Sequence, residues 1–244
     1  MVFRILPLLA GILPLIAMFG AFWLGVHNDV VPACIPFVDG CTSISATGRK
    51  PPGSFLFRAI MLPQAPLLLA VWYVTVLWLR SLHPNLRQST ATAILLSGII
   101  GALALIVYVT FLGTQEPIYE FMRRTGIYFG FLGMALAQLF TAIAVVRVSK
   151  IIGREGLLKL ARLMLGLCLA TFTIGVINVV FKMILADADA MENRIEWIAA
   201  VLMQCYFLVL YFAWRETGLD VGIGIRECRI AEHHRISQGF QKRE

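Results

Sequence analysis

Charge is what this chain has least of. Only 14% of its 244 residues are Asp, Glu, Lys or Arg, where ordinary water-soluble domains carry about a quarter. Histidine is scarcer still, with four in the whole chain. None stands at a spacing that suggests a partner for a serine nucleophile. There is no H-E-x-x-H, no P-loop and no G-x-S-x-G elbow. Gly222-Ile-Gly224 lacks the rest of a dinucleotide fingerprint and the strand–helix frame it needs. No cofactor and no metal is expected. No internal repeat is visible, which removes the usual signature of an inverted-repeat transporter.

What the chain has instead is apolar length. Hydrophobic residues make up 59% of it, and the mean hydropathy is +0.81. A soluble core of this size cannot hide that much apolar surface, so the natural solvent is lipid. Six apolar runs are long enough to cross a hydrocarbon core as helices, over residues 5–26, 59–79, 91–112, 127–146, 163–185 and 197–214. Runs of this length satisfy their backbone internally as helices, whereas barrel strands would be short and alternating. The expected fold is all-α: a polytopic membrane protein with six transmembrane helices over residues 1–214, an outer loop at 27–58, and a basic tail at 215–244. Arg4 before the first run resembles the start of a secretory signal. The run is too long for one and no A-x-A-like site follows Trp23, so it reads as a retained helix, kinked at Pro14.

Two thirds of the 21 lysines and arginines fall on one side of this topology. They are Arg4, Arg80, Arg87, the run from Arg147 to Arg162, and the tail. The positive-inside rule then places both termini in the cytoplasm, and an even number of crossings requires the termini to share a side. The net charge of +7 is this bias plus affinity for anionic lipid. The basic residues are not interleaved with exposed aromatics, so nucleic acid is not an expected partner. Trp72, Trp78, Trp197 and Trp214 fall near helix ends, where aromatics anchor at the membrane interface. Gly126, Gly130 and Gly133 with Ala137, and Ser97 with Gly101, recur at four-residue spacing and let helices approach closely.

The longest polar interruption is 34–58, CIPFVDGCTSISATGRKPPGSFLFR. Cys34 and Cys41 either bridge, as an outward-facing loop allows, or remain free thiols. Ser43, Ser45, Thr47 and Gly48 offer hydroxyls and backbone N–H groups to a headgroup phosphate, with charge from Arg49, Lys50 and Arg58. The same residues also suit a capped turn before Pro51-Pro52. Inside the apolar runs the polar residues are Gln64, Gln138, Asn178, Lys182 and Gln204, functional suspects by virtue of depth. Lys182 lies close enough to a helix end to snorkel. Asp187, Asp189, Glu192 and Glu196 read as a solvated acidic rim without an EF-hand spacing. Cys168 and Cys205 read as small packing residues, and Cys228 sits in the tail.

The stretch Ser43-Ile-Ser-Ala-Thr-Gly48, followed by Pro51-Pro52 and Phe57-Arg58, resembles the first luminal loop of a six-helix membrane family. That family includes the damage-regulated autophagy modulators, the fibroblast-growth-factor-receptor-activating protein, the yeast suppressor-of-four-kinase protein and the GPI-anchor lipid-remodelling factors. Gly53 stands where an acidic residue often follows the proline in that family, so no carboxylate role carries over there. The resemblance implies a lipid-associated role: an accessory or regulatory factor in membrane lipid organisation or remodelling, binding lipid through its first outer loop. The expected partners are membrane lipids and other membrane proteins, in a plasma or bacterial inner membrane or an endomembrane. The rival reading is a lipid-remodelling transferase or hydrolase using Ser43, Ser45 or Thr47 as nucleophile or Asp39 as base. No paired histidine supports it, and an enzyme is the lesser expectation. A small-solute transporter is the third.

Overall fold

The structure is a computed structural model that describes residues 2–114, 116–184 and 189–219. The tail from residue 220 onward, with Cys228 and Gly222-Ile-Gly224, lies outside the described residues, as does Asp187. The helices are α1 (Ile5–His27), α2 (Pro36–Asp39), α3 (Ile44–Thr47), α4 (Gly53–Leu82), α5 (Gln88–Thr110), α6 (Pro117–Ile151), α7 (Glu155–Ile184) and α8 (Asp189–Glu216). No strand occurs among the described residues. The six long helices are each long and apolar enough to cross a membrane. They form a ring in chain order, each packed on the next, and α8 closes the ring against α1.

Several helices outrun their apolar cores. α4 begins at Gly53 rather than 59, α6 at Pro117 rather than 127, α7 at Glu155 rather than 163, and α8 at Asp189 rather than 197. Hydropathy measures the hydrocarbon layer, about 30 Å thick. Helical hydrogen bonding continues past it for as long as the backbone allows. The 35 residues of α6 span about 52 Å at 1.5 Å per residue. Its charged ends therefore clear the hydrocarbon: Glu120 pairs with Arg124 at 2.6 Å at one end, and Lys150 sits in the last turn at the other.

The two ends of the bundle are built differently. At the tail end, Arg4 Nε donates to Leu219 O, Trp78 Nε1 to Thr217 Oγ1 and Arg154 to Glu216 O. At the opposite end, called here the loop end, α2 and α3 lie over the tops of α1 and α8. The tryptophans differ from the interfacial reading. Trp72, Trp78, Trp197 and Trp214 are all buried inside the bundle, while Trp23 is 57% exposed. A ring of six helices leaves an interior too wide for small side chains alone, and large rings fill it. Trp72 packs against Phe207, and Trp78 against Trp214. Gly98 makes room for the first of these, since a Cβ there would meet the Trp72 ring at 2.3 Å.

α5 and α6 approach more closely than any other pair needs to. A Cβ on Gly133 would lie 2.7 Å from the Gly101 backbone nitrogen, and one on Gly126 would lie 2.6 Å from that of Tyr108. Backbone rather than flexible side chain blocks both positions, so only glycine fits. α7 is the opposite case. Its buried residues are Leu157, Ala161, Met164, Cys168 and Thr171, all in its first two thirds. Past Thr171 it presents Val176, Ile177, Val179, Val180, Met183 and Ile184 to the outside, and at its end Lys182 pairs with Glu192 of α8 at 2.6 Å.

Gly133→Val should destabilise the purified protein by about 2 kcal/mol through overpacking against α5. Gly166→Ala, where an added Cβ meets nothing within 4 Å, should raise stability by about 0.5–1 kcal/mol. Thermal unfolding in detergent compares the two. Equal shifts would show that the α5–α6 approach is not the tight contact described.

Candidate functional site

The interior polar chemistry begins with a proline. Pro14 lies inside α1 and has no N–H, so the carbonyl four residues earlier, Ala10 O, loses its helical donor. Lipid supplies no replacement. Gln64 of α4 does: its Nε2 donates to Ala10 O at 2.8 Å, with the side chain buried at 2% exposure. The 1.5 Å rise puts Gln64 about 16 Å along α4 from the loop end. Gln138 joins two helices deeper in the bundle, with no proline to answer. Its Nε2 donates to Met203 O at 3.0 Å, and its own carbonyl accepts from the Tyr206 hydroxyl at 2.8 Å, which ties α6 to α8.

Above Gln64 the ring encloses a cavity. Its walls come from five of the six long helices: Pro14 and Met18 of α1, Met61 and Gln64 of α4, Leu105 and Tyr108 of α5, Ile127 and Phe131 of α6, and Ala200 and Gln204 of α8, with Met134 and Met203 as further lining. Its roof is Ile44 of α3. Its volume is about 130 Å³, close to the roughly 150 Å³ of an engineered apolar cavity that admits a benzene-sized ligand, so it has room for one end of a chain rather than for a whole lipid. The walls are overwhelmingly apolar, and four of the lining residues are methionines, whose unbranched side chains reshape around irregular ligands. α7 contributes no wall residue. The pairs α8–α1, α1–α4, α4–α5 and α5–α6 pack directly, whereas α6 and α8 meet at Gln138 deep in the bundle and are otherwise bridged through α7. Past Thr171, α7 no longer buries itself against either of them. The cavity is therefore weakest walled between α6 and α8 at the loop end.

The roof is held by α8. Trp197 is fully buried, and its Nε1 donates to Thr42 O at 2.9 Å. Its ring meets Phe19 and Phe22 of α1 and Phe37 of α2 at centroid distances of 5.6, 5.7 and 5.7 Å. One turn earlier, Asn193 Nδ2 donates to Gly40 O at 2.8 Å. Gly40 has φ +64°, and a Cβ there would overlap Ala190 of α8. Glu196 completes the row: its Oε1 accepts from Ser45 N at 3.4 Å, and the Ile44 amide also points at it.

Each residue singled out in the sequence has a definite place. Ser43 caps α3, its Oγ accepting from Ala46 N at 3.0 Å and lying 3.1 Å from Ser45 Oγ. Thr47 is buried and donates to Ile44 O. Gly48 is packed against Phe57 and Leu112, each 3.0 Å from where a Cβ would sit. Arg58 donates to Leu112 O, tying the start of α4 to the end of α5. Asp39 accepts from Ile35 N at 2.7 Å within the loop. Cys34 and Cys41 form a disulfide around α2. Lys50 is exposed. Of the seven headgroup candidates, Ser45 and Arg49 stand together beside Glu196, with Arg49 Nη2 3.5 Å from Ser45 Oγ. Partial burial, and then the nearby Arg123 cation, hold the Arg49 guanidinium below its ordinary value, and it stays charged at physiological pH. Of the intramembrane polar residues, Gln64 and Gln204 line the cavity, Gln138 braces α6 to α8, and Asn178 is half-buried on α7.

Glu196 departs from the sequence reading. It is not part of a solvated acidic loop but a half-buried residue of α8 that lines the cavity under the roof. The signal was its spacing: Glu196, Ala200, Met203, Gln204 and Phe207 recur at helical intervals on one face.

A ring of six apolar crossing helices around an apolar interior defines a multi-pass integral membrane protein. Residues 2–216 match the family model described as the Frag1/DRAM/Sfk1/Cwh43P N-terminal domain, and the chain belongs to that family. No curated protein and no solved structure matches the chain.

Trp197→Phe keeps the ring and removes the donor to Thr42 O. Hydrogen exchange across residues 40–47 should then accelerate about tenfold, as loss of one buried hydrogen bond implies, with α5 and α6 unchanged. Unaltered exchange in the loop would mean that Trp197 does not hold the roof.

Proposed function

We propose that this protein is an accessory or regulatory factor in membrane lipid organisation or remodelling, and that it takes one end of a single lipid from the bilayer into the cavity beneath its first loop. The observation that carries the reading is the cavity itself: apolar walls from five helices, adaptable methionines, and a weak seam between α6 and α8 that faces the hydrocarbon. A soluble ligand would favour a polar, water-facing mouth. A seam through the side of a bundle suits a ligand that is already dissolved in lipid.

The first loop acts as the roof. Ile44 contributes the apolar contact, and Ser45, Arg49 and Glu196 form the polar cluster beside it, where a phosphate or hydroxyl of a neighbouring headgroup at the membrane surface finds both donors and an acceptor. We take the tail end as cytoplasmic. Arg80, Arg87, Arg147, Lys150 and Arg154 gather there in support, and the roof then faces the lumen or exterior. The remodelling-enzyme reading is less well supported. The Ser45 hydroxyl is engaged by Ser43 and Arg49, and no carboxylate or imidazole accepts from it among the described residues.

Mass spectrometry of lipids that co-purify from native membranes tests the reading. Ala200→Trp fills the cavity and should reduce bound lipid several-fold. Leu132→Trp, on the exposed face of α6, should leave it unchanged. Equal lipid content in both variants would overturn the proposal.

A further inference from the structure

Gln64 has a second half. Ala10 O can only accept, so the amide nitrogen of Gln64 must face it, and the oxygen is fixed by that choice. This Oε1 is buried and has no partner, in a residue that is 2% exposed and lines the cavity. Gln204 lines the same region. Its backbone carbonyl lies 3.0 Å from where a Cβ on Gly11 would sit, one residue along α1 from Ala10, and its own Oε1 is also buried without a partner. The deep end of an otherwise apolar cavity thus presents one orphaned acceptor of fixed identity, Gln64 Oε1, an arrangement that native interiors rarely leave unfilled.

This acceptor restricts what can fill the site. An anionic headgroup offers oxygens to oxygens and is repelled. A cation would need a counter-charge, and the nearest lining carboxylate, Glu196, is two turns along α8 from Gln204, about 12 Å away. A bare hydrocarbon end leaves Oε1 buried and unbonded. A neutral O–H or N–H donor satisfies it at no electrostatic cost.

We infer that the cavity selects a neutral lipid bearing a hydroxyl or comparable uncharged donor, inserted polar end first so that it donates to Gln64 Oε1 while its hydrocarbon extends toward the seam between α6 and α8. This rests on the cavity being a lipid site. Gln64 is then a specificity-determining residue whose orientation is set by a proline in another helix.

The test uses the full chain in lipid nanodiscs with two probes, 1-hexadecanol and its methyl ether, quantified by native mass spectrometry. The wild type should retain the alcohol about tenfold more than the ether, the discrimination expected of one buried hydrogen bond. Gln64→Leu alone also strips Ala10 O of its donor and endangers folding. Pro14→Ala/Gln64→Leu restores that donor through the N–H of residue 14 while removing Oε1. In this double variant both probes should bind, in a ratio near one. Equal retention of alcohol and ether by the wild type would overturn the inference, Gln64 Oε1 then being met by water. So would a tenfold preference that survives in the double variant. Both probes binding equally, and both being excluded by Ala200→Trp, would leave the lipid cavity standing without its selectivity. Failure of the wild type to bind either probe, with no loss of co-purified lipid in Ala200→Trp, would remove both.

Discussion

Inside a bilayer, a carbonyl that loses its donor finds no water to replace it. That constraint organises this structure. Pro14 breaks one helical bond, and Gln64 from α4 repairs it at 2.8 Å. The loop turns back over the bundle and leaves carbonyls at Gly40 and Thr42, which Asn193 and Trp197 of α8 satisfy. The end of α5 leaves Leu112 O, which Arg58 reaches. In each case a side chain from one long helix serves a backbone group on a different segment of the chain. The ring is tied together by these repairs as much as by its packing.

The packing and the repairs divide the molecule into a solid half and a hollow half. Toward the tail end, Trp72, Trp78, Trp214, Phe207 and Tyr206 fill the interior with rings. Toward the loop end, the space between Phe57, Tyr108, Ala200 and Met18 stays open. Glycines bring α5 and α6 together on one side. α7 buries no residue past Thr171 on the other, so the wall is strongest where the backbones nearly touch and weakest between α6 and α8. A roof held by one indole and a carboxylate then covers the hollow half. The proposed lipid entry rests on this asymmetry: four pairs of helices pack directly, and the seam between α6 and α8 at the loop end is the one they leave.

The six crossings were legible in the sequence because hydrocarbon thickness sets a length that composition alone can measure. The small-residue spacing of Gly126, Gly130 and Gly133 was legible for the same kind of reason, being local to one helix. What could not be read were partnerships across long sequence separations. Pro14 announced a kink, but nothing near it names Gln64 as the residue that answers it. Trp197 looked like an interfacial anchor because its position near a helix end is visible, whereas its contacts with Phe19, Phe22 and Phe37 are tertiary. Glu196 looked solvated because three acidic neighbours precede it, and the helix that turns it inward starts earlier than the apolar run suggested. In the first loop the residue types were right for two roles at once. The structure gives capping and stitching to Ser43, Thr47 and Arg58, and leaves Ser45 and Arg49 beside the cavity.

A map of the protein in a lipid nanodisc, at a resolution that shows bound lipid, tests the central claim most directly. The account predicts a single elongated density in the cavity under Ile44, one end within hydrogen-bonding distance of Gln64 Oε1 and the other leaving between Ile127 and Ala200 into the bilayer. A cavity collapsed onto its own side chains would contradict it, as would one filled by a water column opening through the roof.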